Sequence, residues 1–117
     1  MITVLISGLK TEPINIRGHW RTKAKKTAAV RNIVRMKVMV SRARGKGLPS
    51  AVRVTRLSAG TLDHGAVYEA IKSVVDGLAD GLGLTDDREL QEPSRMSVAQ
   101  EKCKRGTCGI RIEMDFA

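Results

Sequence analysis

With 117 residues the chain has the length of one domain around a single core and is too short for two. Its 21 Lys and Arg against 12 Asp and Glu leave a formal charge of +9, a surplus that points to a polyanionic partner, nucleic acid first, because each phosphate neutralised by Lys or Arg releases a condensed counterion. The apolar start, Met1 to Leu9, is too short for a secretory leader with its cleavage site and for a membrane span, so we expect a cytoplasmic protein without a membrane partner.

Ile2 to Ile6, rich in β-branched residues, predicts a short strand inside the sheet. From Thr22 to Arg44 the absence of Gly and Pro permits a long helix, with Ala29, Ile33, Met36 and Val40 on a core face and Arg21, Lys25, Arg31, Arg35 and Arg42 roughly opposite. Val30, Val34 and Val38 form a second apolar stripe, which either completes the core face or packs against a partner subunit. GKGLPS, Gly45 to Ser50, breaks the helix. Ala51 to Leu57 alternates Val52 and Val54 with Arg53 and Thr55, the period of a half-buried strand, and leads toward Asp63.

Val67, Ala70, Ile71, Val74, Leu78 and Leu82 then recur at steps of three and four and predict a helix over 66–82 with one buried face. Its solvent row reads Glu69, Lys72, Asp76, Asp80, and Gly83 stands where a helix C-cap needs positive φ. Met96 to Lys102 and Cys108 to Phe116 predict two more strands, joined in a hairpin by the basic turn Lys104-Arg105-Gly106. Cys103 and Cys108 would face one another there, as free thiols in a reducing compartment; a zinc site would need two further ligands. The order β-α-β-α-β-β describes a single α/β domain, 1–117, with two helices on a mixed sheet and an aliphatic core, since only Trp20, Tyr68 and Phe116 are aromatic.

The charges are segregated. No acidic residue lies between Pro13 and Leu62, whereas the stretch from Leu62 to Leu90 holds more than half of the acids. The acid-free span makes Arg17, Arg21, Lys25, Arg31, Arg35 and Arg42 candidate nucleic-acid contacts, with Lys104 and Arg105 in the later basic turn. His19 stands among them and offers either a stacking ring or a backbone contact; Trp20 reads rather as the apolar anchor of the first helix.

Leu62-Asp63, then AIKSVVDGLADGLG from Ala70 to Gly83, then Asp86-Asp87 resembles the signature of the RusA-like Holliday junction resolvases, above all their phage-type branch: an acidic LDDDNL box, a helix and a closing acidic pair. NIRGHWR (Asn15 to Arg21), AQEK and GIRIEM (Gly109 to Met114) are similar to the family's opening and closing segments. The resemblance implies a homodimeric, Mg²⁺-dependent endodeoxyribonuclease, a hydrolase that resolves Holliday junctions or other branched DNA in recombination and repair. It implies Asp63, the position of Gly65, and Asp87 as metal ligands, and Lys72 as a catalytic cation beside Asp63 and Asp87. The box departs from the family at His64, Gly65 and Ala66: Gly65 has no donor atom, and His64 as a nitrogen ligand would shift preference from Mg²⁺ toward Mn²⁺. The alternative is a family member that binds branched DNA without cutting it.

Each of these residues also has a plainer role. Asp63 suits a helix N-cap, Asp86 and Asp87 suit a turn, and Lys72 suits an i,i+4 ion pair with Asp76 worth ~0.3 kcal/mol on an exposed helix. Residues 66–82 as a helix span about 25 Å, so Asp63 and Asp87 belong to opposite ends. They approach only if the chain after Gly83 turns back along the helix or if a two-fold partner supplies one of them.

Overall fold

The computed structural model describes residues 1–9, 20–60, 62, 64–104 and 108–116, without the side chains of Trp20 and His64. The elements follow in the expected order: β1 (Ile2–Ser7), α1 (Trp20–Met39), β2 (Ala51–Ser58), α2 (His64–Leu82), β3 (Met96–Lys102) and β4 (Gly109–Asp115). The four strands form one mixed sheet in the order β1-β4-β2-β3, with β2 and β3 parallel and β4 antiparallel to both β1 and β2. Among the described residues no helix is long and apolar enough to cross a membrane.

The sheet buries one face. Register aligns Ile2, Met114, Val52 and Met96 in one row and Val4, Ile112, Val54 and Val98 in the next. Period-two alternation sends both rows toward the helices, where they meet Val34 and Val38 of α1 and Ile71, Val74, Leu78 and Leu82 of α2 in a single core. A third row, Ile6, Ile110, Arg56 and Gln100, turns polar at the ends of β2 and β3. There Gln100 donates to the Leu62 carbonyl at 2.8 Å and accepts from the Leu62 N–H at 2.9 Å, clamping the entry to α2.

Three expectations are corrected by this arrangement. β1 is an edge strand, not an interior one, because β4, last in the chain, occupies the place between β1 and β2. β3 and β4 do not form a hairpin, because β2 lies between them. Cys103 and Cys108 are not free thiols but are joined by a disulfide, with their Cα atoms 5.5 Å apart.

The fourth correction concerns the rotation of α1. Val34 and Val38 are fully buried and Val30 packs against the core, so this stripe faces inward; Ala29, Ile33, Met36 and Val40 face outward. The reason lies on α2. Gly77 and Gly81, four residues apart, present bare backbone to α1: a Cβ on Gly77 would lie 2.4 Å from the Arg31 carbonyl oxygen and 2.9 Å from the Val34 Cβ, and one on Gly81 would lie 2.6 Å from the Val38 Cβ. The two helices therefore touch closely along the line of Val34 and Val38. α2 ends as its sequence predicts, with Gly83 at φ 82°, its N–H donating to the Asp80 carbonyl at 3.2 Å and the Leu84 N–H to Ala79 at 2.9 Å.

Gly to Ala inside a helix normally gains up to about 1 kcal/mol. At Gly77 the opposing atom is a backbone oxygen, which no rotamer change can move, so Gly77→Ala is expected to lower stability by about 1–3 kcal/mol instead. Chemical denaturation of the two chains measures the sign; a stabilised variant would refute the close approach.

Candidate functional site

The chain that leaves α2 at Gly83 turns back along the helix. Leu90 is fully buried in the common core, with Leu84 packed at its margin, and these two anchors hold the intervening segment against α2. Asp86 accepts the Arg88 N–H at 2.9 Å and so forms the turn expected of it. Asp87 does more: one of its carboxylate oxygens lies 3.8 Å from the Lys72 ammonium, and the same carboxylate accepts the amide of Gln91. The fold-back is intramolecular, so Asp87 reaches the first half of α2 from its own chain. Its side chain is 17% exposed and that of Lys72 56%.

Asp76 completes this group. Its carboxyl is pushed above the ordinary carboxylate range, first by burial, then by its hydrogen bond with Asp87 and by the negative charge there; Lys72 and Arg31 pull in the other direction. Asp76 and Asp87 thus form a pair in which Asp76 holds a proton more tightly than an isolated carboxylate. Lys72 lies between its i+4 neighbour Asp76 and the returning Asp87, and its close nitrogen contact is with Asp87 rather than with Asp76.

One turn further along α2, Asp80 receives a two-pronged bond from Arg31 of α1, Nε to Oδ2 at 2.7 Å and Nη2 to Oδ1 at 2.9 Å. That guanidinium holds the Asp80 carboxyl below its usual range. The geometry suits Arg rather than Lys, since only a planar fork meets both oxygens. Arg31, Arg35, Ala28, Ala29, Asn32 and Asp80 line a shallow groove between the helices. Arg35 donates to Asn32 at 2.8 Å. Arg21, Lys25, Ala28, Asn32 and Arg35 succeed one another at steps of four, three, four and three, which places them on one line along α1.

Of the residues singled out in the sequence, Lys72 and Asp87 come together, and Arg21, Lys25 and Arg35 share a side of α1. Arg31 is tied to Asp80 and faces the acidic row instead of standing opposite a core face. Arg42 lies exposed beyond the end of α1, and Lys104 follows β3. Asp63, Arg17, His19 and Arg105 lie outside the described residues, as do the side chains of His64 and Trp20. Asp76 was legible as a member of the solvent row and as the i+4 neighbour of Lys72; its role beside Asp87 depends on the buried Leu90, which no local pattern announces.

Two carboxylates in contact at the edge of the solvent are hard oxygen donors and fit a divalent cation such as Mg²⁺. Among the described residues no group of three or more His, Cys, Asp or Glu converges. No family model, no curated protein and no solved structure matches the chain.

Asp76 binds its proton more tightly folded than unfolded, so the folded state loses stability as pH rises from the ordinary carboxylate range through the raised value. Asp76→Asn is therefore expected to raise the melting temperature at neutral pH, with the gain vanishing as pH falls into the ordinary carboxylate range. Arg31→Ala should do the reverse, removing a contribution from Asp80 that is present above that range and lost below it. Melting curves followed by circular dichroism across pH separate the two; a pH-independent gain for Asp76→Asn would exclude a raised Asp76 carboxyl as its cause.

Proposed function

We propose that the protein binds branched DNA and hydrolyses its phosphodiester backbone with the help of a divalent cation, in the manner of the RusA-like resolvases that its sequence resembles, two copies serving the two symmetry-related strands of a junction. The observation that carries this reading is the pair Asp76 and Asp87 with Lys72 beside it, one helical turn from a groove walled by arginines in a chain of charge +9. A surface built only to hold phosphate is weakened by carboxylates. Hydrolysis gives them a use, because a bound Mg²⁺ or Mn²⁺ stabilises charge on the transferring phosphoryl group and orients water.

Asp87 and, by resemblance, Asp63 are the residues that would hold the ion, and Asp76 supplies next to Asp87 a carboxylate that Gly65 does not. Lys72, more than half exposed, extends toward the phosphate that the ion would engage. Arg21 and Arg35 track the neighbouring backbone. Asp87 reaches Lys72 from its own chain. Binding without cutting is the second reading, favoured by the missing donor at Gly65 and by the Lys72 ammonium, which already balances Asp87.

Affinity for a synthetic four-way junction should fall steeply with salt; about six phosphate contacts give a log-log slope near −5. In Mg²⁺ or Mn²⁺, cutting should disappear in Asp87→Asn and in Lys72→Ala beyond any change in affinity, and rise in Gly65→Asp. Cutting in Mg²⁺ that is indifferent to Asp87→Asn removes the catalytic reading, and tight junction binding with no cutting in either metal selects the second.

A further inference from the structure

The side of α1 turned away from the core is apolar along one line. Ala29, Ile33, Met36 and Val40 follow one another at steps of four, three and four; Ala29 is exposed, and Ile33, Met36 and Val40 expose 41%, 56% and 83% of their surface. Val40 continues the helical path, since its N–H donates to the Met36 carbonyl at 3.1 Å. At the rise of a helix the line runs about 16 Å. Steps of four and three are the spacing by which one helix seats its side chains between those of another. The chain's own core makes no use of it, taking Val30, Val34 and Val38 from the other side of α1.

The borders of this line are cationic. At the angular step of a helix Lys25 falls on one side of it and Lys37 on the other, and α1 contains no Asp or Glu. An occupant must therefore bring an apolar seam at the same spacing and negative charge on both of its margins. We infer that this face receives a helix of a partner protein that carries Leu-like residues at steps of four and three, with Glu or Asp beside them.

The other occupants satisfy half of the requirement each. A second copy brings the seam but sets lysines against lysines, and like charges at the margins are what turn helices away from self-pairing. Nucleic acid meets the lysines and leaves Ile33 and Met36 without apolar neighbours. A membrane surface takes both, yet helices that lie in one carry a broad apolar face with Trp, Phe or Leu, whereas this line is narrow and contains no aromatic residue. The inference does not depend on the DNA-cleavage reading.

The full chain is titrated with a three-heptad synthetic helix bearing Leu on the seam and Glu beside it, and with the same peptide bearing Lys in place of Glu. The Glu peptide is expected to bind at least about tenfold more tightly than the Lys peptide, and Ile33→Ser with Met36→Ser to weaken it about thirtyfold or more. Both substituted positions are exposed, so the double variant keeps its melting temperature, which is checked alongside. Equal affinity for the two peptides, or indifference to the double substitution, overturns the inference. So does failure of the Glu peptide to bind while capture on phosphatidylglycerol vesicles, retention of junction DNA or self-association in sedimentation is lost in the double variant; these outcomes assign the face to a membrane, to nucleic acid or to a second copy.

Discussion

The contact on which the rest of the molecule depends is the close approach of α1 and α2 at Gly77 and Gly81. Missing side chains there let the backbone of one helix lie against the backbone of the other. Everything nearby takes its position from that proximity. Val34 and Val38 are drawn inside, Ile33 and Met36 are turned out, and the Arg31 guanidinium is brought within reach of Asp80. A glycine in a helix costs about 1 kcal/mol relative to alanine, and two of them in one helix are tolerated because the area buried between the helices outweighs that loss.

The same proximity explains how an acidic row survives in a strongly basic protein. Asp76, Asp80 and Asp87 would repel one another if left alone. Asp80 is balanced by Arg31 and Asp87 by Lys72, while the repulsion left at Asp76 shows as a carboxyl held above its ordinary range. Arg31 raises no conflict with its own helix, since the guanidinium leaves the cationic side and crosses to the acidic one. The acids are consequently concentrated on one helix and its returning tail, and the remaining cations of α1 are left to face outward.

Periodicity disclosed what is local. The buried face of α2, the C-cap at Gly83 and the bounds of all four strands, to within one or two residues, follow from spacing because each rests on neighbours in the chain. α1 carries two apolar lines of similar strength, and the choice between them is made by glycines on another helix. Strand order failed for a related reason: the short link between β3 and β4 suggests a hairpin, but β2 reaches β3 first through the crossover of α2 and leaves β4 only the far side. Of the candidate site, Lys72 and Asp87 were legible as residues of a recognisable pattern. Their meeting was not, because it is Leu90, three residues beyond Asp87, that pulls the segment home.

The position of β4 has a consequence for how the molecule is made. β4 is the last strand in the chain and one of the two central strands of the sheet, flanked by β1 from the start of the sequence and β2 from its middle. β1 and β2 are synthesised before the strand that joins them, and until β4 is made the edges it will cover present unpaired N–H and C=O groups. The helices can pair early, since α1 and α2 need only each other, but β1 gains its partner in the sheet only when β4 has emerged. Such a sheet closes in one late, non-local step, and until then the nascent chain is most exposed to pairing with a strand that is not its own.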